Sequence, residues 1–161
     1  KTTQMITRGY FGIGIENIKT EVNIGTLWRS ANIFNAAFLF TVGRRYKWQS
    51  SDTMQSWRHI PLFHFASLGE MYEHLPYDCL LVGVEMVPEA TPLADFWHPE
   101  RACYLLGAED HGLTAQATER CQRLIVLPGE ISMNVAVAGS IVLYDRVARG
   151  TTRYGHARQS A

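Results

Sequence analysis

The chain has 161 residues, 47% hydrophobic and 19% charged, which fits one ordinary globular domain and excludes a disordered or fibrous chain. No run approaches the roughly 18 apolar residues of a membrane span, and Lys1 to Arg8 carries no secretory apolar core, so a cytoplasmic protein is expected. The formal net charge of zero argues by itself against a nucleic-acid binder, but the charge is unevenly spread. Residues 1–60 balance at +5, residues 61–145 at −9 and residues 146–161 at +4, so two basic ends that met in space would offer phosphates a basic face.

Short apolar runs recur at Phe11 to Ile15, Ala37 to Val42, Leu62 to Phe65, Cys79 to Val84, Ala102 to Leu106 and Leu124 to Leu127. Their lengths suit buried strands. Between most of them lie segments of helical pattern, at Asn23 to Phe34, Ser67 to Leu75, Leu93 to Trp97, Thr114 to Cys121 and Asn134 to Arg149. Alternating strands and helices predict an α/β domain with a parallel sheet flanked by helices. A single domain is expected over residues 1–150, with 151–161 as a loose polar tail.

Turned at about 100° per residue, the first helix gathers Ile24, Leu27, Trp28, Ala31 and Phe34 on one arc. Asn23, Thr26, Arg29 and Ser30 fall on another. The apolar arc must face the sheet, which leaves Arg29 pointing at solvent, a ligand or another subunit. The last helix is apolar almost all round, with small residues Ala136, Ala138, Gly139 and Ser140 among its branched ones. Such a helix needs cover on every side, and a second subunit is the expected partner for the flank that the sheet does not reach.

Cys79, Cys103 and Cys121 are odd in number and widely spaced, so buried free thiols are expected and neither a disulfide framework nor a zinc ribbon is written. His59 and His64 lack the spacing of a helical ligand pair, and no metal is implied.

Two segments after the first helix carry candidate chemistry. Tyr104 to Thr114 reads as a strand running into a turn bounded by Gly107 and Gly112, then a helix. Such a turn lets backbone approach a ligand closely. It matches neither a phosphate-binding Gly-Lys-Ser/Thr loop nor a dinucleotide loop. Leu124 to Glu130 is a second strand ending in a turn, after which Ser132 and Asn134 open the final helix. Either could be its N-cap, but capping explains one and not both.

In order and spacing, Asn23-Ile-Gly-Thr-Leu-Trp-Arg-Ser-Ala31, Leu106-Gly-Ala-Glu-Asp-His-Gly-Leu113, and Leu127-Pro with Ser132-Met-Asn-Val-Ala-Val-Ala138 resemble the three motifs of the SpoU (TrmH-like) RNA 2′-O-ribose methyltransferases. The resemblance runs from Gly12 to Arg149. It implies a SPOUT-class fold whose C-terminal part forms a deep trefoil knot, a feature that ordinary topology rules would exclude. It further implies a homodimer and S-adenosylmethionine as cofactor, bound at Val84, Leu106, Gly107, Ala108, Glu109, Gly112, Leu127, Met133 and Asn134. The implied catalytic set is Asn23, Arg29, Glu109, Ser132 and Asn134, with Arg29 reaching the site across the subunit interface.

A guanidinium with pKa above about 12 is a poor base near neutrality, so Arg29 is expected to stabilise a developing alkoxide or hold a phosphate. Met133 stands where leucine is common in the family, and Asp110-His111 fill variable loop positions. Arg44, Arg45 and Lys47, interleaved with Tyr46 and Trp48 after a strand, are the expected RNA contacts. The added N-terminal RNA-binding domain of several ribosomal-RNA members is not seen, which favours transfer RNA over ribosomal RNA as substrate. A base methyltransferase, or a non-catalytic RNA-binding protein on the same scaffold, is the alternative.

Overall fold

The computed structural model describes residues 9–43 and 59–151. The expected RNA contacts Arg44, Arg45 and Lys47, and all but the first residue of the expected tail, lie outside the described residues. The elements are β1 (Tyr10–Glu16), α1 (Glu21–Ile33), β2 (Phe38–Val42), β3 (Leu62–Phe65), α2 (Leu68–Glu73), β4 (Leu80–Val84), β5 (Thr91–Pro92), a 3₁₀ turn (Leu93–Asp95), β6 (Arg101–Leu106), α3 (Ala115–Arg120), β7 (Arg123–Val126) and α4 (Val135–Arg149).

The seven strands form one sheet in the order β3-β2-β1-β6-β4-β7-β5. Every pairing is parallel. Each expected strand and each long helix is present within a few residues of its apolar run. The expected helix at Leu93 to Trp97 is a correction: only Leu93–Asp95 turns, because Pro92 stands at its start and Phe96 is already extended (φ −81°, ψ 132°).

Alternation along the strands divides the core between the two faces of the sheet. Phe11, Ile13 and Ile15 of β1, Leu39 of β2, Val82 of β4 and Ala102, Tyr104 and Leu106 of β6 pack with α1 and α4. Phe38, Phe40 and Val42 of β2, Leu81 of β4 and Cys103 and Leu105 of β6 pack with α2 and α3 on the other face. Gly12 and Gly14 of β1 turn to this second face, where a Cβ would overlap the rings of Phe38 and Phe40. The strand therefore uses absent side chains to seat its neighbour's rings.

The apolar arc of α1 faces the sheet: Ile24, Leu27 and Ala31 are fully buried and Trp28 nearly so, its indole Nε1–H donating to Ile60 O at 3.2 Å. Gly139 of α4 lets that helix close on α1, its absent Cβ position lying 2.6 Å from Leu27 Cδ1. The Ser140 and Ser30 hydroxyls bond across the same contact at 2.7 Å.

The C-terminal end of α4 is fastened to the sheet by polar groups. Arg146, 1% exposed, donates to Pro99 O (2.7 Å), Glu100 O (2.8 Å) and Tyr104 Oη (3.0 Å), and its guanidinium lies 4.5 Å from the centre of the Phe11 ring. His98 bridges Tyr104 Oη (2.6 Å) and Asp145 Oδ2 (2.8 Å). Burial pushes the His98 imidazole down to about 4, overcoming the hydrogen bond to Asp145, so the pair is not an ion pair at neutral pH. Arg149 bonds Asp145 and also closes the carbonyls of Leu93 and Phe96 at 2.7 Å each. Among the described residues no helix is long and apolar enough to cross a membrane.

Candidate active site

The carboxyl ends of β4, β6 and β7 open onto a cavity of about 270 Å³. In a parallel sheet this is where ligands are expected, outside the strand ends, and loop conformation decides whether one fits. The loop after β6 folds back on itself through paired backbone bonds, Ala108 N–H to Gly112 O at 3.2 Å and Gly112 N–H to Ala108 O at 2.9 Å. A Cβ on Gly107 would overlap the backbone of Gly112 and Leu113. Gly112 has a φ of +66°, and a Cβ there would run into the Glu85 carboxylate. The two glycines are therefore required by the closeness of the fold-back as well as by its turn.

Val84, Leu106, Gly107, Ala108, Glu109, Gly112, Leu127, Ser132 and Met133 all line this cavity. Val84, the 106–112 loop and the segment 127–133 thus converge on one pocket, and the first motif touches it only through Asn23 on Glu109. Its floor is apolar where Leu106, Leu127, Val135 and Ala138 meet, and its rim is polar where Glu85, Glu109, Asp110 and His111 meet.

Asn134 is not in the wall. It is the N-cap of α4, and its Oδ1 accepts from Ala136 N–H at 2.9 Å and Val137 N–H at 3.2 Å. That orientation turns Nδ2 the other way, toward Asn23 Oδ1 at 2.9 Å. Asn23, placed on the polar arc but only 7% exposed, then donates from Nδ2 to Glu109 Oε1 at 2.6 Å. The relay has one possible polarity, because backbone amides can only donate and each side-chain amide offers an acceptor at one end and donors at the other. Glu109 stands at the receiving end, with Lys19 N–H at 3.4 Å from Oε2. It is held as a hydrogen-bond acceptor in the cavity wall.

Capping thus accounts for Asn134, and Ser132 is left exposed at the cavity mouth with no capping role. Arg29 is exposed on α1, outside the cavity wall, and makes no hydrogen bond or ion pair among the described residues. The single chain does not bring it to the pocket.

Two carboxylates were not singled out from the sequence. Glu85, directly after β4, accepts from Leu113 N–H at 2.6 Å and Met86 N–H at 2.8 Å and so clamps the loop 107–113 against the strand ends. Glu16, 3% exposed at the end of β1, accepts from Thr114 N–H (2.9 Å) and Thr114 Oγ1–H (2.7 Å), fixing the cap of α3. An acidic residue at the carboxyl end of a parallel strand is the signal that would have found both. Lys19 and Asp110 pair at the rim, and the Lys19 hydrogen bond holds the Asp110 carboxyl below its usual range. No cluster of three potential metal ligands occurs among the described residues.

Known proteins share this fold. The Streptomyces viridochromogenes SpoU methyltransferase AviRb, solved with AdoMet, superposes with a TM-score of 0.78 over 90% of this chain and 62% of that one, at 22% identity, a likeness of fold. An uncharacterized tRNA/rRNA methyltransferase of Archaeoglobus fulgidus is 26% identical over 149 residues, which is 86% of this chain and 65% of that protein. The mouse tRNA (guanosine(18)-2′-O)-methyltransferase TARBP1 is 24% identical over 139 residues, 80% of this chain but only 9% of the longer protein. The family described as SpoU rRNA methylase matches residues 11–144, a span that takes in all three motif segments, and this chain belongs to that family.

Proposed function

We propose that the chain transfers a methyl group from S-adenosylmethionine to a ribose 2′-hydroxyl of RNA. The observation that carries this reading is the Asn134–Asn23–Glu109 relay, which holds an acceptor carboxylate in the wall of a cavity built on a tightly folded glycine loop. The cavity's apolar floor and close backbone suit an adenosine-like ligand, and the relatives named above are methyltransferases or were solved with AdoMet. The cofactor, when bound, supplies a methyl group on a sulfonium.

The chain's own residues would do the rest. Leu106, Leu127 and Met133 with the 107–112 backbone would hold the cofactor, and Ser132 would orient the ribose. Glu109, fixed by Asn23 in the cavity wall, would take the hydroxyl proton. Arg29, always charged, would stabilise the developing alkoxide or an adjacent phosphate.

This last role needs a second subunit. Val137, Ile141, Tyr144 and Val147 leave an apolar stripe along α4 that is 37–61% exposed, and Val22 and Ile33 of α1 are also exposed. A homodimer through these helices would cover the stripe and give Arg29 a pocket to reach. The interleaved strand order, with β7 between the sequential β4 and β5, supports the trefoil threading. Transfer RNA is the preferred substrate, in line with the mouse relative, a tRNA methyltransferase.

The test is incubation with labelled S-adenosylmethionine and unmodified total RNA, followed by digestion and mapping. Label on a ribose 2′-oxygen is expected. Label on a base, or cofactor binding with no RNA methylated, would overturn the assignment.

A further inference from the structure

A second cavity, of about 280 Å³, opens on the face of the sheet away from α1 and α4. Tyr10, Phe38, Phe40, Phe63, Phe65 and His74 supply most of its wall. The rings form one continuous path: Tyr10 to Phe38 at 6.0 Å, Phe38 to Phe63 at 6.1 Å, Phe38 to Phe40 at 6.0 Å, Phe40 to Phe65 at 6.2 Å and Phe65 to His74 at 5.8 Å between centroids. Phe38 and Phe40 are floor, but Phe63 is 47% and Tyr10 37% exposed. Core packing explains the first pair and not the second.

One cation flanks these rings: the Arg101 guanidinium lies 4.9 Å from the centre of the Tyr10 ring and is fixed there by its Nε–H bond to Tyr77 O at 2.7 Å. A lipid or an aliphatic peptide segment could cover the rings but would leave the Arg101 guanidinium unused. An unpaired nucleotide needs both, a π-face for its base and a cation for its phosphate.

We propose that this cavity is a nucleotide-binding subsite that holds one unpaired base of the RNA, stacked against Phe63 and Tyr10, with its phosphate at Arg101. The proposal rests on the RNA reading above. Tyr10 and Phe38 begin their strands, whereas the candidate active site lies beyond the strands' carboxyl ends, so the seven-residue length of β1 separates the two by roughly 20 Å. The base held here is therefore not the one modified but a distant part of the same RNA, and the subsite acts on substrate choice and not on chemistry. It lies on the opposite face from α1 and α4, so a dimer through those helices leaves it open.

The experiment measures fluorescence anisotropy of labelled unmodified tRNA against the full chain over a salt series, with thermal melts to show that each variant is folded. Phe63→Ala is expected to weaken binding about 5- to 30-fold, the usual loss for one stacked base. Phe63→Leu keeps apolar volume but removes the π-face, and is expected to weaken binding in the same direction. Arg101→Gln should make the slope of log K against log salt shallower by about 0.7, one single-strand phosphate's worth. In turnover, the loss should appear in the KM for RNA and not in the affinity for S-adenosylmethionine. Photocrosslinking should place a nucleotide on the peptide containing Phe63.

Unchanged RNA affinity in folded Phe63→Ala and Arg101→Gln would overturn the subsite while leaving the methyl-transfer reading intact. So would a protein ligand whose retention depends on Phe63 while RNA binding does not. A wild-type chain that neither binds nor methylates RNA would overturn the functional reading itself.

Discussion

Replacing Asn134 in two ways separates its roles as helix cap and relay member. Asn134→Ala removes the acceptor that satisfies Ala136 and Val137 N–H, which costs about 1 kcal/mol for a lost cap. It also leaves the Oδ1 of the nearly buried Asn23 without its donor, an unmet polar atom worth about 1–3 kcal/mol. The sum is roughly 2–4 kcal/mol of lost stability. Asn134→Asp keeps the acceptor and adds a negative charge at the start of α4, so it loses no cap and gains about 0.3–1 kcal/mol against the lost Asn23 bond.

The aspartate variant should therefore be more stable than the alanine variant by roughly 1–2 kcal/mol. Its catalytic fate should differ. An acceptor at position 134 draws the Asn23 amide toward it and turns Asn23 Oδ1 on the Glu109 carboxylate, reversing the relay. Urea unfolding and single-turnover methyl transfer check both halves. Equal destabilisation by the two variants would refute the cap, and full turnover by Asn134→Asp would refute the relay as the support of Glu109.

Three further outcomes are expected. Arg29→Ala should abolish methyl transfer while leaving the Kd for S-adenosylmethionine nearly unchanged, because Arg29 lies outside the cavity wall; calorimetry and turnover measured together check this. Gly107→Ala forces apart backbone atoms of the fold-back that no rotamer change can relieve, so cofactor binding should weaken and turnover fall about 100-fold, read by calorimetry and initial rates. Stability should fall as pH drops from 6.5 toward 4, because the unfolded chain protonates His98 in that window and the folded chain does not. The drop is roughly 3 kcal/mol across the window, absent in His98→Gln, and a flat urea midpoint between pH 7 and pH 5 would refute it. The Asp145 carboxyl, raised by burial but held below its usual range by Arg149 and His98, adds its own loss only at more acidic pH.

The chain's periodicities were sufficient for the strands, the helices and the inward face of α1, since an apolar run or arc has one stable use in a small domain. The three site segments were legible as motifs, and each took its meaning from the order in which they occur. Sequence could not say which of Ser132 and Asn134 caps the last helix, because both residue types cap well and the choice depends on where α4 begins against the sheet. It could not join Asn23 to Glu109, 86 residues apart, nor find Glu85 and Glu16, whose partners are backbone amides of a loop folded back from elsewhere. It gave Phe38, Phe40, Phe63 and Phe65 as strand residues like any others; parallel register alone put their rings on one face and lined a cavity there. Local pattern is a property of neighbours in the chain, so it determined the elements. The polar relay and both cavities are properties of strand ends brought side by side, so only the tertiary structure decided them.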